Sequence, residues 1–175
     1  MTTTDRKVLV AGVGNIFLGD DGFGVEVAQR LLGHVLPAGT KLVDVGIRGL
    51  HLAYELLDGY DLLVLVDALP LDEEPGTVVV FEPDRDQLPA GGLDAHGMDP
   101  QAVLATLAGL GGEVGRVLVV GCQPAELGER IGLSAPVDAA VDEAVRTVLR
   151  LVDPYAVTPS TTPSSRTATL ERTES

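Results

Sequence analysis

Tryptophan is absent from this chain of 175 residues, and aromatic residues make up only 3% of it. A core therefore has to be built from Val, Leu and Ala, which the 45% hydrophobic content allows in a domain of this length. The one cysteine excludes an internal disulfide and fits a reducing compartment. Positive charge is scarce: 12 Lys and Arg stand against 26 Asp and Glu, for a formal charge of -14. Neutralising phosphates takes clustered cations, so nucleic acid and an anionic membrane surface are poor partners for such a chain. No apolar run reaches the roughly 20 residues of a membrane span. The segment Met1 to Lys7 is polar and lacks the apolar stretch of a secretory signal, so a cytoplasmic location is expected.

What is present is an alternation of apolar runs and helical patterns. Strands are expected at Lys7 to Ala11, Lys41 to Val45, Asp61 to Val66, Thr77 to Phe81 and Arg116 to Val120. The third, DLLVLV, is nearly all apolar, as a strand buried on both faces should be. A first helix is expected over Phe23 to Val35, with Val25, Ala28, Leu32 and Val35 facing the core. Leu50, Ala53 and Leu57 mark a second helix, ending near Asp58-Gly59. Asp99-Pro100 opens a third, with Val103, Leu104, Leu107 and Leu110 at helical period, and Gly91-Gly92 falls in the loop before it. The last helix starts near Ser134 and carries Val137, Val141, Val145, Val148 and Val152. Strands alternating with helices predict one α/β domain over residues 1–153, with a mostly parallel sheet between two helical layers. The tail, TPSTTPSSRTATLERTES, is expected to be disordered, because it has too little apolar surface to bury.

After the first strand comes GVGNIFLGDDGFGVEVAQRLL, from Gly12 to Leu32. A dinucleotide loop needs Gly-x-Gly-x-x-Gly, and its third glycine is replaced here by Phe17. A Walker loop needs Gly-Lys, and the stretch holds no lysine. The adjacent acids Asp20 and Asp21 would moreover repel a phosphate, so no nucleotide cofactor is expected. One of them could cap the following helix, worth roughly 1 kcal/mol. The other is then left to be solvated or paired.

Ligand sites of open parallel sheets lie beyond the carboxyl ends of the strands. Polar groups expected there are the two loop acids, Asp44, Asp67, His96 in the loop before the third helix, and Cys122. An unpaired carboxylate after the apolar run that ends at Val66 is costly, which marks Asp67. Two carboxylates and an imidazole would make an incomplete shell for a borderline divalent metal such as Zn or Ni. The plain alternative is a cap, a turn aspartate and a solvated histidine. Cys122 could pair with His96 as a nucleophile, but a small buried residue is the better reading. His34 and His51 fall within helical patterns and read as surface or boundary residues. Arg48 reads as a substrate contact or a solvated loop charge, and Gln123-Pro124 as part of a rim.

Four blocks in order, VLVAGVGNIFLGDDGFGVEVAQRL, DLLVLVDA, DAHGMDP and VVGCQPAELGERIGLSAPVDAAVDEAV, resemble the hydrogenase maturation endopeptidases, over about Lys7 to Val152. The resemblance implies a single α/β domain that removes a C-terminal extension from the precursor of a [NiFe] hydrogenase large subunit after nickel insertion. It implies Asp21, Asp67 and His96 as catalytic and metal-binding residues, with Asp20 as a possible substitute for Asp21, and nickel brought by the precursor. One acid would then cap the helix while the other meets the metal. A non-catalytic nickel-sensing or chaperone-like module that binds the precursor is the alternative.

Overall fold

The computed structural model describes residues 6–47, 49–84 and 100–154. His96, Arg48, Gly91, Gly92, Asp99 and the tail from residue 155 lie outside the described residues. Five strands form one sheet: β1 (Val8–Val13), β2 (Thr40–Gly46), β3 (Tyr60–Ala68), β4 (Val78–Phe81) and β5 (Val114–Cys122). Their order is β2-β1-β3-β5-β4, parallel throughout except for β4, which runs antiparallel along β5. Helices α1 (Phe23–Leu31), α2 (Gly49–Leu56), α3 (Pro100–Gly109) and α4 (Ala135–Val152) cover it.

The central strands are apolar on both faces, and each face has its own core. Side chains alternate across a strand, so Val8, Val10, Leu62, Val64, Val66, Leu118 and Val120 meet α1 and α4 on one face. Leu9, Ala11, Leu63, Leu65, Val117 and Val119 meet α2 and α3 on the other. The expected valine stripe of α4 is buried from Val137 to Val152.

The helix phases differ from the sequence expectation in two places. The first helix stops at Leu31, ahead of Gly33, and Leu32 and Val35 are 69% and 98% exposed. Its core stripe is Phe23, Val27 and Leu31, with Ala28 beside it. In α2 the buried residues are Leu52, Ala53 and Leu56, while Leu50 and Leu57 face out. Both helices offer two apolar stripes at helical spacing, and the sheet each one packs on selects between them.

Chain order reverses between β1 and β3: β2 lies on one side of β1, and β3 on the other. In open α/β sheets this switch point is where loops diverge and leave a crevice. The loop from Gly14 to Gly22 leaves β1 at that crevice, and β3 ends there with Asp67-Ala68. Helix α1 enters it very closely. A Cβ on Gly24 would collide with the carbonyl oxygens of Val66 and Val13, so only glycine lets the helix sit down on both strands.

Candidate active site at the switch point

Gly14 turns the chain out of β1 at φ +144, a conformation that favours glycine. The backbone then folds into a single 3₁₀ turn, Gly19–Gly22, directly before α1. Neither Asp20 nor Asp21 caps a helix: the residue ahead of the 3₁₀ turn is Leu18, the one ahead of α1 is Gly22, and neither position has a side-chain cap bond. This corrects the capping expectation. The reason is that α1 follows the 3₁₀ turn without a break, so no residue with a capping side chain occupies its entry.

The two acids point to different environments. Asp20 is fully buried, and its carboxylate accepts hydrogen bonds from the backbone N–H groups of Ala125, Glu126 and Ser134 at 2.8, 2.8 and 2.6 Å. The Ser134 hydroxyl adds a fourth at 2.8 Å. Burial pushes the Asp20 carboxyl up, but the bonds from Glu126, Ser134 and Ala125 together outweigh it and hold it below its ordinary value. Four donors thus hold the Asp20 carboxylate within the fold, three on Oδ2 and one on Oδ1.

Asp21 is half-buried, and its carboxylate accepts one hydrogen bond, 2.9 Å from the N–H of Asn15. Burial raises its pKa, and the Asn15 bond only partly opposes that. Asp67 is 7% exposed. Burial, and after it the negative charge of Asp21, push its carboxyl up to about 8. Among the described residues no Lys, Arg or His forms an ion pair with either carboxylate. The fold thus brings Asp21 close enough to Asp67 for its charge to disfavour ionisation of Asp67, while burial disfavours the charge of both. A divalent cation would relieve both the burial and the repulsion, so their oxygens fit a metal-binding role. Among the described residues there is no group of three or more His, Cys, Asp or Glu able to hold a metal. His96, the expected nitrogen donor, is outside the described residues.

Cys122 stands in register with Ala68, and both side chains lie in the core under α1 and α4. Asp67, one residue earlier on β3, projects to the opposite face of the sheet. The thiol is fully buried, and burial, with the charges of Asp20 and Glu143, pushes it up to about 11. We expect Cys122 to resist iodoacetamide in the native protein at pH 8 and to react fully in guanidinium. Native labelling at the rate of a free thiol would contradict this burial.

The remaining candidates have structural settings. The Asp44 carboxylate accepts from the Gly46 N–H at 3.0 Å, closing a turn at the end of β2. Gln123 accepts from the Leu71 N–H at 2.6 Å and fastens the loop after β3. His34 is exposed, beyond the end of α1. A cavity of about 570 Å³ opens beside Asn15, bounded by Ile16, Phe17, Val43, Val45 and Leu52, with Asp44, His51 and Glu55 as its polar groups. His51, expected at the surface or boundary, is exposed on the wall of this cavity.

The comparisons agree with this architecture. The family model HycI, hydrogenase maturation protease, matches residues 25–151. A putative hydrogenase maturation protease of Methanocaldococcus jannaschii is 36% identical over 82% of this chain and 95% of its own. The hydrogenase expression/formation protein HupD of Rhodobacter capsulatus is 35% identical over 81% of this chain and 70% of its own. The structure of the hydrogenase maturating endopeptidase HybD from E. coli superposes with a TM-score of 0.71, at 27% identity, over 83% of this chain and 91% of that one. A family model matched over residues 25–151 and a relative 36% identical over 82% of the chain place it in the hydrogenase maturation protease family.

Proposed function

We propose that this protein is an endopeptidase that removes the C-terminal extension from a [NiFe] hydrogenase large-subunit precursor once nickel has been inserted. The observation that carries the reading is the pair Asp21 and Asp67, a half-buried and a buried carboxylate at the switch point with no cationic partner among the described residues. Such a pair is electrostatically incomplete until a cation arrives. A precursor carrying nickel brings that cation with it, so nickel belongs to the substrate. Asp21 and Asp67 supply the oxygen donors and His96 the nitrogen, a mixed set suited to a borderline divalent metal. Three ligands leave positions open on the metal, where a peptide carbonyl can be polarised or a water activated.

In the metal-free protein at neutral pH, Asp67 holds its proton. Positive charge brought to the pair would favour the ionised form of Asp67, which is the form that donates to a cation. The cavity beside Asn15 supports the reading, because its apolar walls offer a place for the precursor's chain, and the Asn15 N–H that borders it donates to Asp21. The names of the relatives, among them a hydrogenase maturating endopeptidase, support the same substrate.

The test is release of the C-terminal peptide from nickel-loaded and nickel-free precursor. We expect cleavage of the loaded form only, and loss of at least about 100-fold in rate for His96→Ala, the usual scale for removing a group that acts on the reacting atoms. Equal cleavage of both forms would remove nickel recognition from the reading. Binding without cleavage of either form by folded protein would favour a non-catalytic module.

A further inference from the structure

We propose that Asp20 is a positioning residue for the active site: its buried carboxylate clamps the loop between β5 and α4 onto the turn that carries Asp21, and so sets where Asp21 stands. The proposal rests on the reading of Asp21 as a metal-binding group. Asp20 and its partners are more than 100 residues apart in sequence, yet the contact is dense. One carboxylate oxygen, Oδ2, accepts from the N–H groups of Ala125 and Glu126 and from the Ser134 hydroxyl, while Oδ1 accepts from the Ser134 N–H.

The backbones are joined around this centre. The Asp20 N–H donates to the Glu126 carbonyl at 2.8 Å, the Gly19 N–H to the Arg130 carbonyl at 2.8 Å, and the Arg130 N–H to the Phe17 carbonyl at 2.9 Å. Asp21 itself has one hydrogen bond to its carboxylate, from Asn15. Its place is therefore set mainly by the backbone of the 3₁₀ turn, and that turn is held by Asp20.

Ser134 shows what the clamp displaces. It is the residue ahead of α4, where a serine ordinarily bonds its own helix, yet it makes no side-chain cap bond. Its hydroxyl is turned to Asp20 instead. The carboxylate lies as a result at the amino end of an 18-residue helix, where the helix dipole favours negative charge. An asparagine at position 20 keeps the shape but has a single acceptor oxygen for four donors, and turns an NH₂ group toward some of them.

Asp20→Asn is compared with the wild type in two measurements, after circular dichroism has established that the variant is folded. Trypsin reports on the clamp at the bond after Arg130, a side chain 53% exposed but with both backbone groups bonded in the closed loop. We expect D20N to be cut there at least tenfold faster. Cadmium chloride, titrated calorimetrically, reports on Asp21, and we expect its Kd to rise at least tenfold. A folded D20N with wild-type cadmium affinity overturns the positioning role, even if its loop is cut faster, because a merely structural clamp would leave the metal site alone. Unchanged proteolysis overturns the clamp. Absence of cadmium binding by the wild type overturns the reading of the site itself, and the proposal with it. If D20N does not fold, Ser134→Ala decides: it removes the hydroxyl bond alone, and about threefold changes in both measurements are expected, with no change in either overturning the proposal.

Discussion

Asp67→Asn is expected to abolish processing of the precursor and, at the same time, to make the metal-free protein more stable at alkaline pH. The first half follows from the role proposed for the carboxylate: an amide is neutral and a weaker donor to a cation. A rate loss of at least about 100-fold is expected. The second half follows from burial. Folding moves the Asp67 pKa from 3.8 to about 8. Between those values the unfolded chain has released the proton while the folded protein still holds it, so wild-type stability falls as pH rises through that window. Below about pH 4 both states are protonated and the penalty vanishes; above about pH 8 it is complete. The amide introduced by Asp67→Asn does not titrate, so the variant gains on the wild type throughout the window from about pH 4 to about pH 8, from a starting point set by the cost of burying the amide.

A gap of about four pH units would correspond to about 6 kcal/mol at 1.36 kcal/mol each. The buried amide needs partners of its own, which offsets part of that. We expect a gain on the order of 2 kcal/mol, or about 4–8 °C in Tm for a domain of this size. Thermal melts in chelator at pH 5 and pH 9 check it. A variant no more stable than the wild type at pH 9 would mean that Asp67 is not held in the charged, disfavoured state there. The combination of lost activity and gained stability is the signature of a residue kept for function.

Gly24→Ala is expected to have the largest effect on the fold. A helix usually gains from this change, by about 0.5–1 kcal/mol. Here the added Cβ would collide with the carbonyl oxygens of Val66 and Val13 and lie 2.7 Å from the Val13 nitrogen. All three are backbone atoms of central strands, so no side chain can swing aside. Overpacking costs of about 1–3 kcal/mol are typical, and a backbone clash belongs at the top of that range. We expect a net loss of about 3 kcal/mol, or about 6–12 °C in Tm. Gly109→Ala is the control. It lies at the end of α3 with nothing within 4 Å of the added carbon, and should be neutral or slightly stabilising. Equal melting of the two variants would show that α1 can lift off the sheet without cost. Because Val66 precedes Asp67 and Val13 precedes Gly14, any lift of α1 also moves the two chain ends that frame the site.

Much of this was legible in the chain itself. A strand such as DLLVLV, apolar at every position but its first, can only be buried on both faces, and that fixes a layered α/β fold before any contact is known. The valine stripe of α4 is long enough to define one face without ambiguity. Asp67 stands out locally, because a carboxylate after such a strand has no cheap solvation.

Other features depend on groups distant in sequence, and these only the tertiary structure decided. Short helices α1 and α2 carry two possible apolar stripes each, and the surface they pack on chose Val27 and Leu31 over Leu32 and Val35. Cys122 and Asp67 both end central strands, yet strand register sets them on opposite faces, because Cys122 stands beside Ala68. The adjacent acids Asp20 and Asp21 look interchangeable in sequence. What separates them is a loop more than 100 residues away, whose N–H groups surround one carboxylate and leave the other facing Asp67 with a single hydrogen bond. Local sequence sets propensity and polarity, but which donors meet a buried carboxylate is determined by the folding of the whole chain.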